Sequence, residues 1–276
     1  MKEKNLIGAI PATVLVVVIA GLGLFSTLLG SFGIAKDFGK PGFTISYYAS
    51  VLPDALRASV LSVLLASVST LIAAVIGVVV AFILHTRIRA HRFLGTAISM
   101  TVPIPHVIAA LAIDLLLGDA GWLARLFNVH SGHWPAFVAG RWWLAVIFEY
   151  SWKESAFIAL VILAMLPSNA VHLQDISRTL GASSMSRIRR VFIPLAAPGL
   201  IAAAGLSFIY ALSSYEVSWL LGRTYPEPLS ILTFRLFSST DLAARPQAMA
   251  ASVVALLLSL LAASTIVYLL RNRRFV

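Results

Sequence analysis

"HLQDISRTLGASSMSRIRRVFIPLAAPGL", residues 172–200, is the one sustained polar and basic stretch in the second half of the chain, and long apolar runs lie on both sides of it. It carries Arg178, Arg187, Arg189 and Arg190 against a single acid, Asp175. The flanking runs decide the fold class. The chain has 276 residues, 59% of them hydrophobic and 12% charged, where a soluble domain carries about 25% charged residues. The apolar residues are gathered into runs long enough to cross a bilayer, which takes about 20 residues of helix. In lipid each backbone N–H and C=O must be satisfied within its own segment, so the runs are helices. The expectation is an all-α membrane protein with six transmembrane helices at about 7–30, 58–84, 94–117, 143–167, 195–221 and 248–270, with an inside loop over 168–194.

The first run follows "MKEK", the charge order of a signal peptide. It is longer than the 7–15 residues of a signal core, and no A-x-A site follows, so it reads as a retained first span. With both termini inside, the inner segments hold twelve of the 21 basic residues: Lys2, Lys4, Arg87, Arg89, Arg92, Arg178, Arg187, Arg189, Arg190, Arg271, Arg273 and Arg274. Only Glu3 and Asp175 oppose them, while the outer segments hold eight basic residues against five acids. The excess of Lys and Arg in short loops sets both termini on the cytoplasmic side. The net charge of +10 is therefore explained by membrane orientation, and no nucleic-acid partner is expected. The outer loops "GKPGFTISYYASVLPDALR" and "GRTYPEPLSILTFRLFSSTDLAARPQA" carry the Pro, Gly and aromatic residues of ordered turns and interfacial elements. No repeat or low-complexity segment divides the chain, which reads as a single membrane domain over 1–276. There is no cysteine, hence no disulfide and no thiol chemistry.

Within the quoted stretch, Leu173, Ile176 and Leu180 recur on one helix face. Asp175 lies one turn before Arg178 and Thr179, within reach of a local ion pair. Gly181 interrupts the helix, Ser183 or Ser184 suits the cap of a second short helix with Met185 and Ile188 on its apolar side, and Pro194 and Pro198 suit the first turn of the next span. Apolar faces on a water-exposed loop suit a partner surface better than a tether.

On these residues the chain resembles the permease subunits of binding-protein-dependent ABC importers of type I, with their MetI-like fold. The family signature is E-A-A-x-x-x-G-x9-I-x-L-P. In "DISRTLGASSMSRIRRVFIPL" Asp175 stands at the Glu position, Ile176 and Ser177 replace the two Ala, Gly181 holds the Gly, and Val191, Ile193 and Pro194 match the end of the motif. "WKESAFIALVILAML", "PLAAPGLIAA" and "TVPIPHVIAALAI" add to the resemblance, which is nearest the polyamine, thiamine, iron and phosphonate branch. It implies a cytoplasmic coupling helix between spans four and five that docks in a groove of an ATP-hydrolysing subunit. Asp175, Arg178, Gly181, Ala182, Ser183, Ser184 and Met185 are the residues it places there. It also implies the partners: two ATP-binding subunits, a second permease subunit, identical or paralogous, and an extracytoplasmic solute-binding protein, in a bacterial cytoplasmic membrane. No G-x-x-x-x-G-K-S/T occurs, so ATP and Mg are expected on another polypeptide and no cofactor on this one.

Asp114, Glu149, Lys153, Glu154 and Glu216 fall within the predicted spans, where ionisable groups are functional candidates. Glu149 and Lys153, four residues apart, can neutralise each other as an ion pair. Ser207, Tyr210, Ser214 and Ser218 follow a helical stripe in span five with Tyr215 and Glu216 beside it, so Ser207, Tyr210, Ser214, Tyr215, Glu216 and Asp114 are the candidate translocation path. The small residues Ser62, Ala66, Thr70, Ala73 and Gly77 predict close helix packing in span two. His106, beside Pro105, reads as a packing or hydrogen-bonding residue at a helix break, and His130 and His133 lack a third partner for a metal. The rival reading is an ion- or proton-coupled secondary transporter with Asp114 and Glu216 as coupling acids. An intramembrane enzyme using Asp114, Glu149 or His106 is weaker, since no convergent catalytic motif is present.

Overall fold

The computed structural model describes residues 2–34, 42–86, 91–129 and 132–272. Arg87, Arg89, His130, Arg273 and Arg274 lie outside the described residues. Among those described, the regular elements are helices: α1 Lys2–Ser31, α2 Ser46–His85, α3 His91–Thr101, α4 His106–Leu117, α5 Trp122–Leu126, α6 Leu144–Met165, α7 Ala170–Thr179, α8 Ser184–Arg187, α9 Ile193–Ser213, α10 Glu216–Leu221, α11 Leu229–Phe237 and α12 Arg245–Asn272. A π turn, Ile188–Phe192, joins α8 to α9, and a 3-10 turn, Leu242–Ala244, precedes α12. Among the described residues five stretches are long and apolar enough to span a membrane: Thr13–Ser31, Ser46–His85, His106–Leu126, Ser184–Ser213 and Leu242–Asn272. Leu144–Met165 and Ala170–Thr179, bent by 91° from each other, make a sixth when the pair is taken as one span.

Three boundaries differ from the sequence expectation for stated reasons. The third span is broken: α3 ends at Thr101 and α4 starts at His106, because Pro103 and Pro105 donate no N–H and hold their predecessors out of helical geometry. The fifth span ends at Ser213; Ser214 is extended (ψ 135°) and α10 begins anew at Glu216. The second span is only part of a 40-residue helix that starts at Ser46, so half of the expected outer loop is helical. Pro53 sits inside that helix.

The residues fall into two groups, Met1–Ser59 with Leu229–Leu258, and Val60–Pro228 with Ser259–Val276. In the first, Ala55 and Ala58 of α2 are buried with Leu229 and Leu232 of α11, and Val51 with Ala250 and Ala251 of α12. Ser31 Oγ and the Tyr48 hydroxyl share a 2.8 Å hydrogen bond that ties the end of α1 to α2. The second group holds the larger core, where Ala73, Val78 and Phe82 of α2 meet Ile158 and Ile162 of α6 and Phe192, Ala196 and Ala203. Glycine lets these helices approach: a Cβ on Gly77 would lie 2.8 Å from Ile158 Cγ2, and one on Gly199 3.1 Å from Ile162 Cα. Lipid tails are as apolar as Leu, so such close contact rather than hydrophobic burial drives association. The small-residue pattern of span two is buried as expected at Ser62, Ala66 and Ala73.

Candidate functional site

Two features converge on function: the segment 170–192 and a polar cluster inside the apolar bundle. α7 closes at Gly181, whose φ of +79° is left-handed. Gly181 N–H donates to Arg178 O at 3.0 Å and Ala182 N–H to Ser177 O at 3.0 Å, the paired bonds of a Schellman close, which require a left-handed residue and favour Gly. Ser183 then caps α8, its hydroxyl accepting from Ser186 N–H at 3.3 Å. The expected helix, bend and second helix are thus present. The expected Asp175–Arg178 ion pair is not: both side chains are exposed, and the ion pairs among the described residues belong to His106. Water solvates two exposed charges well enough that closing the pair gains little. Gly181, Ser183, Ser184 and Met185 are exposed and Ala182 half-buried. The apolar side chains are exposed, Leu180 by 81%, Met185 by 71% and Ile176 by 55%.

The second feature surrounds the break in the third span. Pro103 and Pro105 leave carbonyls without helical donors, and Lys153 of α6 supplies the donor: its ammonium reaches Thr101 O at 2.9 Å, Val102 O at 3.4 Å and Ile104 O. A cation at a helix C-terminus also meets the negative end of the α3 dipole. His106, the first residue of α4, bridges both acids of α6, with Nδ1 2.9 Å from Glu149 Oε1 and Nε2 3.5 Å from Glu154 Oε1. Glu154 Oε2 accepts from Ser207 Oγ of α9. The Tyr210 ring lies tilted by 37° against the His106 ring, 4.5 Å between centroids, and its hydroxyl donates to Glu216 Oε1 at 3.4 Å. One connected network therefore joins α4, α6, α9 and α10.

This arrangement corrects the expected Glu149–Lys153 pair. Among the described residues no ion pair within 4.0 Å joins their charged groups; each instead reaches the helix break. The freed carbonyls are fixed polar partners, whereas two neighbours on one helix would leave the carbonyls bare in an apolar interior. The candidate path residues separate. Ser207, Ser214 and Ser218 are buried, while Tyr210, Tyr215, Glu216 and Asp114 are half-buried. The helix break at Ser214 divides the expected single stripe between α9 and α10. The His106 bridge was not legible as a cluster, though "TVPIPH" signals the break that creates it. Among the described residues no group of three His, Asp or Glu is arranged to hold a metal ion.

The chain matches, over residues 73–276, the model of the family described as binding-protein-dependent transport system inner membrane component. It is 26% identical over 191 residues to the probable sulfate transport system permease protein cysT of Chlorella vulgaris, covering 68% of this chain and 70% of that protein. With the spermidine/putrescine transport system permease protein PotC of Escherichia coli (strain K12) the identity is 25% over 223 residues, 79% of this chain and 76% of the relative. The fold is similar to one in the crystal structure of a bacterial alginate ABC transporter in complex with an alginate pentasaccharide-bound periplasmic protein, with a TM-score of 0.72 and 19% identity over 98% of this chain and 96% of the other. The five to six apolar helical stretches among the described residues, the loop with its glycine close and this family match agree: the chain belongs to the family of binding-protein-dependent transport inner membrane components and is a permease subunit of an ABC importer.

Proposed function

We propose that this permease forms half of a translocation pathway for a small polar solute, powered through the segment 170–192 by a separate pair of ATP-binding subunits. The observation that carries the reading is the exposed apolar side of that segment, held by the Gly181 close and continuous with α9. Leu180 and Met185 in water cost free energy that a partner groove would recover, roughly 1.5–3 kcal/mol per large side chain on full burial. Asp175, Arg178, Ser183 and Ser184 surround that apolar patch as its polar rim, with Ala182 at the bend. ATP and Mg bind to the partner; the solute arrives on an extracytoplasmic binding protein; a second permease subunit supplies the other half of the path. Both termini lie on the cytoplasmic side of a bacterial inner membrane.

Alternating access fits the broken third and fifth spans, since each break lets one half-helix move without bending the other. Tyr210, Tyr215, Glu216 and Asp114 line the path, and the buried Ser207 and Ser214 hold its frame. The test is co-purification of the tagged chain with its ATPase subunits, followed by transport in the reconstituted complex. Gly181→Pro or Ala182→Trp is expected to abolish coupling while the chain still inserts. Transport at the normal rate in either variant sinks the lever. Glu216→Gln is expected to alter transport, and an unchanged rate removes it from the path.

A further inference from the structure

Leu144, Ile147, Phe148, Ser151, Trp152 and Ser155 follow one face of α6 at helical spacing. Together with Ile72 and Ile76 of α2 they wall an apolar groove of about 710 Å³. Its two serines are already satisfied on the backbone: Ser151 Oγ donates to Ser69 O at 3.4 Å and Ser155 Oγ to Trp152 O at 2.8 Å. What the groove offers an occupant is therefore apolar contact. From Leu144 to Ser155 it follows α6 for roughly 16.5 Å, about half of the ~30 Å hydrocarbon core of a bilayer. That is the depth of one leaflet.

Leu144 also lines a second cavity, of about 850 Å³, with Arg141, Trp142, Arg223 and Tyr225. α6 has 22 residues, roughly 33 Å of helix, so this cavity lies at the membrane face opposite the segment 170–192. Trp142 and Tyr225 are 66% and 60% exposed, as suits aromatic residues at headgroup level. The two walls are tied by their backbones. Ala139 N–H donates to Leu221 O at 2.9 Å, and a Cβ on Gly222 would overlap the Trp143 ring. Ala139 and Trp143 hold left-handed φ values of +53° and +55°, which residues with a Cβ keep only where their surroundings fix them. The Arg141 guanidinium lies 4.9 Å from the centroid of the Trp142 ring, a stacking that leaves its in-plane N–H donors open. Among the described residues neither Arg141 nor Arg223 has a carboxylate within 4.0 Å.

We propose that the two cavities, joined at Leu144, are one binding site for an anionic glycerophospholipid. The headgroup phosphate sits between Arg141 and Arg223, and one acyl chain lies in the groove along α6. The basic cavity supplies the charge the headgroup needs, and the groove has the length of the chain that hangs from it. The chain by itself gains little there, because the surrounding tails are as apolar as the groove. Selectivity therefore comes from the head, where guanidinium forks pair with phosphate oxygens and repel the ammonium of a zwitterionic lipid. By meeting both arginines the phosphate also ties the loop before α6 to the loop after α10. The site is independent of the coupling role of segment 170–192.

The full chain, alone and in the complex with its partner subunits, is stripped of lipid in a non-ionic detergent. It is then titrated with phosphatidylglycerol or phosphatidylcholine of the same acyl chains, and bound lipid is counted by native mass spectrometry. Phosphatidylglycerol should bind about tenfold more tightly or better, as expected for two arginines facing one anionic head. Arg141→Gln combined with Arg223→Gln should bring it down to the level of phosphatidylcholine, while Arg57→Gln, at an exposed arginine of α2, changes nothing. Ile76→Trp, which fills the groove, should weaken both lipids alike, and Ile72→Phe repeats that arm should the first variant fail to fold. Equal binding of the two lipids overturns the site, as does a preference that survives loss of both arginines or binding that ignores the groove variants. Displacement of phosphatidylglycerol by inorganic phosphate at about 10 mM would make it a site for free anions and overturn the lipid. Lipid held by the chain alone but excluded from the complex, where another subunit covers the groove, overturns it too.

Discussion

Replacing Lys153 by Met separates the two accounts of the charges in α6. In the structure the Lys153 ammonium serves the carbonyls of Thr101, Val102 and Ile104, and the residue is only 4% exposed. Met keeps the length and apolar bulk but removes all three donors. Each lost bond to a charged group is worth about 1.5–3 kcal/mol net, and breaking a buried charged network by removing one partner costs about 3–5 kcal/mol. Taking the lower end for one hydrogen-bonded cage, the loss should be about 3–5 kcal/mol, which for a chain of this size lowers Tm by about 10 °C. The assay is thermal unfolding of the purified protein in detergent, wild type against Lys153→Met, with Lys153→Arg as the charge-retaining control. A double-mutant cycle then asks where Glu149 is coupled. His106→Gln with Glu149→Gln should show a coupling of about 1–3 kcal/mol, and Lys153→Met with Glu149→Gln a smaller one. A Tm within about 2 °C of wild type, or a cycle in which Glu149 couples more strongly to Lys153 than to His106, would refute the carbonyl cage and restore the neighbouring ion pair.

Ser207→Ala removes the donor to Glu154 Oε2 in a buried site and should cost about 1–3 kcal/mol by the same melting assay. Gly222→Ala should be worse tolerated than its chemistry suggests, because a Cβ there would overlap the Trp143 ring and the Ser218 carbonyl; overpacking of about 1–3 kcal/mol is expected, relieved in part by Trp143→Leu. At Gly181 there is open space around a Cβ, so Gly181→Ala should lose only the left-handed backbone term of about 1–2 kcal/mol, with Gly181→Asn losing less. A large loss at Gly181→Ala would mean that the bend is held by packing and not by its φ.

The periodicity of 172–200 was sufficient for the bend, because its determinants are local. A left-handed glycine, a serine cap three residues from its donor and a proline at a helix start act over one turn of chain, and nothing distant competes with them. The serine stripe failed for a related reason: helical spacing was carried through Ser214, where the backbone is extended and the helix ends. The fate of Glu149, Lys153 and Glu154 could not be read at all. Glu149 and Lys153 had each other on their own helix, and the better partners lay 43 to 52 residues away along the chain, at the end of α3 and the start of α4.

The sequence alone therefore determined the all-helical membrane class and the loop with its glycine close, since hydropathy and turn chemistry are properties of short stretches. Tertiary structure decided which charges neutralise which, and where spans three and five are broken in a usable way. In an apolar interior an unsatisfied carbonyl or carboxylate draws the nearest polar group in space. At Pro103 and Pro105 that group is Lys153, and for Glu149 and Glu154 it is His106.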